Sequence, residues 1–334
     1  MAMSRIRLVS TIVACLAVAG AVRAEMTEIK VAQQYGIGYL PLMVMEEQKL
    51  IEKHAKVAGV DVVVSWPRLT GGSAMNDALL SNSLQFASGG VGPFVTLWAR
   101  TRGNLDVKAV AAINSMPLYL NTRNPNVKTV KDFTERDRIA LPAVKVSIQA
   151  ITLQMAAEKA FGEGQQNKLD PLTVSLSHPD AQTALLSGQS EITAHFGSPP
   201  FQYQQLRSPT IHTVLNSYDV LGGPATFNLV WTTSKFRNEN PKLYDAFVKA
   251  LDEAVAMINR DKRGAAEAYL RISKDKDSVD DILAMLNDPA IVITTTPQNV
   301  MKYVDFMAKT GAIKTRPDSW REMFFPNAQG LPGS

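Results

Sequence analysis

The sequence predicts an α/β protein of two lobes, and three observations carry that prediction. Strand-like apolar segments alternate with amphipathic helical ones, a pattern that implies mostly parallel sheets covered by helices. The alternation runs twice, the second cycle opening near Leu118. An extended segment at 226–232 is then followed almost wholly by helical sequence, so the C-terminal helices complete the first lobe. The chain is expected to cross between lobes near 114–118 and again near 217–225.

In the first cycle, 29–33 reads as a strand and 42–56 as one helix. Residues 60–66, with Val62, Val63 and Val64 in a row, read as a buried strand. A Gly-Gly turn leads to a helix at 73–80. A strand at 84–87, a helix at 94–100 and a strand at 107–113 follow. In the second cycle the strands are 138–141, 172–176, 191–196 and 212–216. Helices are expected at 147–161, where Ile148, Ile151 and Met155 share one face, and at 180–187. The clearest helix opens at Asn240-Pro241, a cap followed by proline at the first helical position. Its Leu243, Ala246, Phe247, Ala250, Leu251, Ala254 and Ile258 recur at spacings of three and four. Ser278-Val279-Asp280-Asp281 and Thr296-Pro297 open two more helices, the last ending near Gly311.

The N-terminus reads as a secretory leader over residues 1–24. Arg5 and Arg7 form a basic region, Leu8 to Val22 is an almost wholly apolar run of 15 residues, and Val22-Arg23-Ala24 supplies the cleavage box. Such a run is shorter than the roughly 20 residues that span a bilayer. The chain is therefore expected to be secreted and to work outside the cytoplasm. Cys15 is the only cysteine; Ile12-Val13-Ala14-Cys15 has the look of a lipoprotein box, but the apolar run continuing to Val22 argues against lipidation there. Without the leader the chain has neither disulfide nor thiol nucleophile. The whole chain carries 35 basic and 31 acidic residues; taking away Arg5, Arg7 and Arg23 leaves 32 against 31. A near-neutral chain with interspersed charges offers no basic surface for nucleic acid.

Chemistry-bearing motifs are few. Gly36-Ile37-Gly38-Tyr39-Leu40-Pro41 stands where a dinucleotide fingerprint would, but the third glycine is Pro41, and the second strand ends in Trp66-Pro67-Arg68 rather than an acid. No nucleotide cofactor is expected. The loop is read instead as lining a cleft, with Tyr35 and Tyr39 presenting their rings. His54, His178, His195 and His212 have no metal-ligand spacing, and no metal site is predicted. His195 closes a strand just before Gly197 and is the histidine that faces a cleft or simply ends a strand. No nucleophile elbow, zinc-protease helix or Walker loop is present. What recurs is the strand-to-helix turn with small residues: Gly71-Gly72-Ser73, Gly89 to Pro93, Ser147-Ile148-Gln149 and Gly197-Ser198-Pro199. Such turns leave backbone N–H groups free at helix N-termini, and four across two lobes converge on an interlobe cleft.

In their order and spacing these segments resemble the solute-binding proteins of ABC importers, in the nitrate/sulfonate/taurine branch that includes thiamine-pyrimidine-synthase-like members. The resemblance covers nearly the whole chain after the leader. It rests on Ile29 to Ala32, the Gly36 to Leu42 loop and Glu46 to Lys53. It rests also on Gly71 to Leu79, Leu84 to Ala87 with Gly92-Pro93, and Pro179 to Gly188 with Glu191 to Ala194. The resemblance implies a type II periplasmic-binding-protein fold, each lobe a mostly parallel sheet flanked by helices, with lobe one at 25–114 and 219–334 and lobe two at 115–218. It implies binding of a small solute, an organic anion such as a sulfonate, by a monomer that serves an ABC permease and ATPase in the inner membrane. It carries pocket positions onto Tyr35, Gly36, Gly72, Ser73, Gly90, Val91, Asn114, Ser147, Gln149, His195 and Asp219, with Tyr35 and Ser147 on opposite walls. Two departures leave the solute open. Val144 to Gln149 is not the family's Gly/Ser-rich loop, and Phe196 stands where a Trp is usual. A pyrimidine-forming or hydrolytic enzyme, and a periplasmic sensor of the same solute, are the rival expectations.

Overall fold

The computed structural model of the protein describes residues 24–334, so the expected leader, with Cys15, lies outside the described residues apart from Ala24. Among the described residues no helix is long and apolar enough to cross a membrane.

Among the described residues, ten strands form two arrays. The first contains β1 (Glu28–Lys30), β2 (Val63–Ser65), β3 (Ala87–Gly90) and β4 (Val107–Ala112). The second contains β5 (Tyr119–Thr122), β6 (Ile139–Leu141), β7 (Thr173–Ser175), β8 (Ala194–Phe196) and β9 (His212–Asn216); β10 (Asn228–Thr233) belongs to the first. A parallel bridge from Val31 to Phe86 joins the β1–β2 pair to the β3–β10–β4 sheet, giving the order β2-β1-β3-β10-β4. The second array runs β7-β6-β8-β5-β9. The two orders are the same: second, first, third, reversed, fourth. In each array a single strand runs against the others, β10 in the first and β5 in the second. Each reversed strand follows a crossing from the other array, so the chain enters each sheet from the far side. The mostly parallel sheets of the prediction are observed, and the reversed strands are what makes them two-way traffic.

Local chemistry explains most elements. Gly90 and Ser147 stand as N-caps of helices Val91–Thr101 and Ile148–Phe161, and the Ser147 hydroxyl accepts from the Ala150 amide. Ser278 and Asp281 form a capping box on helix Val279–Asn287. Four expectations are corrected. The single helix at 42–56 is two, Leu40–Glu47 and Leu50–Val57, broken where Lys49 takes a left-handed conformation at φ 50°. The break turns Leu50, Ile51 and Ala55 inward against helix Pro241–Arg260. The buried strand at 60–66 is only β2, an edge strand with Val63 67% exposed, because a single neighbour covers it. Asn240 does precede Pro241, but the carboxylate that caps helix Pro241–Arg260 is that of Glu25, which accepts from the Lys242 and Leu243 amides at 2.9 and 2.8 Å. The helix expected from Thr296-Pro297 starts at Val300, since Gln298 and Thr226 exchange hydrogen bonds that hold the chain extended.

The core of the first lobe is aromatic at its centre. Phe86 is fully buried, stacks on Phe247 at 3.9 Å between centroids and meets Phe236 edge-on at 5.0 Å. Phe86→Ala is expected to cost about 3–5 kcal/mol, the range for a large buried ring truncated to a methyl. The shift of the urea midpoint measures it, and a loss below about 1 kcal/mol would show that the core collapses to fill the space.

Candidate functional site

The loops that leave the carboxyl ends of both sheets meet face to face. Gln34 follows β1, Gly72 follows β2, Gly90 ends β3, Pro142 and Ser147 follow β6, and His178 follows β7; all line one cavity with Tyr39, Pro93, Ile148, Gln149 and Phe227. This is the position at which open α/β sheets take ligands. Four helices start at its wall: Gly72–Leu80, Val91–Thr101, Ile148–Phe161 and His178–Ser187. Their first turns point the positive ends of the helix dipoles at the cavity, although Pro93 and Pro179 carry no N–H and the Ala150 and Asp180 amides are taken by Ser147 and Ser177. No lysine or arginine lines it; Lys145, the one cation in these turns, is exposed and outside the lining.

The lobes are in contact. The Ile37 amide donates to the Pro199 carbonyl at 3.1 Å, and a β-carbon on Gly36 would stand 2.7 Å from that oxygen. At Gly90 a β-carbon would stand 2.6 Å from the Ile148 side chain. Along the rim Arg207 pairs with Asp277 at 2.7 Å and Asp281 at 3.3 Å, while Gln204 donates to Asp275 and Asp277. On the other side Lys309 pairs with Glu158 and Glu163, both at 3.1 Å. The space left in the cavity is about 20 Å³, enough for one water molecule. In this structure no solute larger than a water molecule fits between these walls.

The polar lining is neutral. Burial raises the Tyr39 hydroxyl far above its ordinary value, so it stays protonated. His178 is buried, stacks on Phe201 at 5.5 Å and has its proton affinity pushed down to about 4 by burial. Its Nδ1 lies 2.9 Å from Nε2 of His195, which is fully buried and also held well below the ordinary value, first by burial and then by the neighbouring ring. Gln149 Nε2 is 3.4 Å from His178 Nε2.

Of the residues the sequence nominates, Gly72, Gly90, Ser147 and Gln149 line the cavity, and Gly36 and Val91 are buried without lining it. Tyr35 is half-buried and outside the lining, its place taken by Tyr39 four residues on. Ser73 and Asp219 are exposed. Asn114 is fully buried but ties the strands together, donating to the Gly38 carbonyl at 2.6 Å and accepting from the Asn228 amide. His195 sits behind His178, which the sequence reading passed over. The signal was present in Ser177-His178-Pro179, an N-cap serine with proline at the second helical position, which makes His178 the first residue of a helix at a strand's carboxyl end. Gln34, Pro142 and Phe227 were also missed, whereas Pro93 and Ile148 belong to turns the sequence reading aimed at the cleft without naming them as pocket residues. Among the described residues no group of three or more His, Cys, Asp or Glu could hold a metal ion.

No family model and no curated protein sequence matches the chain. Solved structures do. The alkanesulfonate-binding protein of Xanthomonas axonopodis pv. citri, bound to MOPS, superposes with a TM-score of 0.68 at 17% identity, over 88% of this chain and 96% of that one. The periplasmic aliphatic sulphonate binding protein of Escherichia coli gives 0.64 at 17% identity, over 93% and 95%. A conserved Candida albicans gene product with the generic periplasmic binding protein fold gives 0.69 at 16% identity, over 92% and 99%. At such identities the likeness is one of architecture, and it agrees with the strand order and the facing loops described above: the chain has the periplasmic-binding-protein fold.

Proposed function

We propose that the protein binds a small oxyanion, a sulfonate or a related organic anion, between lobes 25–114 with 219–334 and 115–218, and delivers it in the periplasm to an ABC-type importer. The observation that carries this reading is the convergence of four helix N-termini on one interlobe cavity without a lining cation. Oriented amides favour negative charge and hydrogen-bond acceptors, and they exchange a hydration shell for fixed dipoles. Tyr39 and Phe227 supply apolar surface for the organic part. Parting and closing of the lobes would give the permease two surfaces to distinguish. Nothing in the lining favours turnover: the Ser147 hydroxyl is taken by its helix cap, and His178 Nδ1 by His195.

Protein 25–334 is to be screened by thermal shift against sulfonates, nitrate, carboxylates, pyrimidines and aromatic acids. A ligand at 100 times its Kd adds about 2.7 kcal/mol and raises Tm by several degrees. The expected result is a shift with oxyanions and none with neutral pyrimidines. Shifts confined to neutral or cationic compounds, or turnover of the bound compound, would overturn the reading.

A further inference from the structure

Behind the second-lobe wall of the cavity runs a chain of buried hydrogen bonds with a determined direction. It starts at a backbone carbonyl, that of Gln202, which can only accept; the group bonded to it at 2.9 Å is therefore the Asn121 Nδ2. This fixes the Asn121 amide, whose Oδ1 accepts from the Thr213 hydroxyl at 2.8 Å. The second Nδ2 hydrogen goes to Gln205 Oε1 at 3.1 Å, which fixes the Gln205 amide as well. Gln205 Nε2 then donates to His195 Nδ1 at 2.5 Å. With Nδ1 accepting, the His195 proton is on Nε2, and it is donated to His178 Nδ1. The His178 proton is therefore on Nε2, the nitrogen that faces the cavity beside Gln149. Reversing the chain would set two acceptors against each other at the Gln202 carbonyl. The Gln149 amide, at the free end, has no such anchor and accommodates either direction.

We propose that His178 is a solute-contacting residue of the second lobe, held by this chain as an Nε2–H donor that selects a solute carrying an acceptor oxygen at that point. The proposal rests on the interlobe binding reading and adds to it a residue and a direction. With His178 donating from Nε2, the Gln149 amide 3.4 Å away turns its Oε1 to accept that hydrogen, and a solute oxygen seated on this wall takes over the hydrogen in place of the Gln149 oxygen. The rings are packed on Gln149, Phe201 and Gln205, all uncharged, and Asp180 two residues on is turned to the Ser177 hydroxyl. The donor thus stays an uncharged N–H at neutral pH, which burial enforces.

The first test needs no ligand. Long-range proton–nitrogen spectra of uniformly ¹⁵N-labelled protein at pH 7.5 report each ring's tautomer, and both His178 and His195 are expected to carry the proton on Nε2. An Nδ1–H tautomer at His178 overturns the proposal. In Gln205→Leu, which removes the donor to His195, the His178 tautomer is expected to become mixed; an unchanged pure Nε2–H form would show that the chain does not set it. Binding is then read with methanesulfonate and MOPS. His178→Leu is expected to weaken it about tenfold or more, the effect of leaving an acceptor unpaired, while His178→Gln, which keeps an N–H donor, retains most of it. Equal losses in the two variants would assign His178 a packing role only. A wild-type protein that binds neither sulfonate sinks the sulfonate reading, and the tautomer spectrum still decides the donor.

Discussion

Gly90→Ala is expected to leave the protein folded and to weaken solute binding about 5- to 150-fold, while Gly72→Ala is expected to lower stability by about 1–3 kcal/mol. Both substitutions put a methyl group into occupied space, and the difference lies in who occupies it. At Gly90 the backbone is ordinary for alanine, with φ −70° and ψ 164°, but the new carbon stands 2.6 and 2.7 Å from Ile148 atoms. Ile148 belongs to the facing lobe, so parting the lobes relieves the clash without disturbing either core. The overpacking energy then falls on closure, and through closure on affinity. At Gly72 the new carbon would overlap Pro93 Cγ and Cβ, and both helices belong to the first lobe. No rigid-body motion removes that contact. Urea midpoints and solute titrations of the two variants, with solution scattering to read the opening, separate the outcomes. If Gly90→Ala loses stability and keeps its affinity, the contact is not one of closure.

Acid is expected to destabilise the protein by about 3 kcal/mol through His178 between pH 6.5 and 4. In the unfolded chain the ring takes its proton at the ordinary 6.5, whereas in the folded protein burial delays it to about 4. Between those values the unfolded state holds a proton that the native state refuses. Stability is therefore full above 6.5 and is lost as the pH falls toward 4. His195 is shifted in the same direction, and because the two rings share a hydrogen bond they lose stability as a pair rather than independently. Urea unfolding at pH 7.5, 5.5 and 4.5, compared between wild type and His178→Gln, isolates this contribution from that of the carboxylates. An equal fall in both proteins would remove the buried histidines as its source.

These expectations depend on residues of different legibility. Ser147 and Ser278 were recognised as helix starts because a cap is a contact within three residues, visible wherever the sequence is read. The helix break at Lys49 was not, because nothing in Gln48-Lys49-Leu50 forbids a continuous helix; the turn follows from packing Leu50, Ile51 and Ala55 on a helix some two hundred residues away. Glu25 as a cap was hidden for the same reason, since its partners are Lys242 and Leu243. Helix Lys262–Ser273 was not singled out, its Gly264 and charged residues blunting the local signal.

The sequence by itself determined the α/β class, the double cycle of strands and helices, and the small-residue turns at Gly72, Gly90 and Ser147, because periodicity and capping act over one or two turns of chain. The tertiary structure alone decided which strand in each sheet runs backward, which histidine meets the cavity and which way its proton points. Those properties come from pairings such as Val230 with Ser88 and from a chain through Asn121, His178, His195 and Gln205, residues far apart in sequence. Only the folded chain brings them within hydrogen-bonding distance, where each group's donor or acceptor role is dictated by its neighbour.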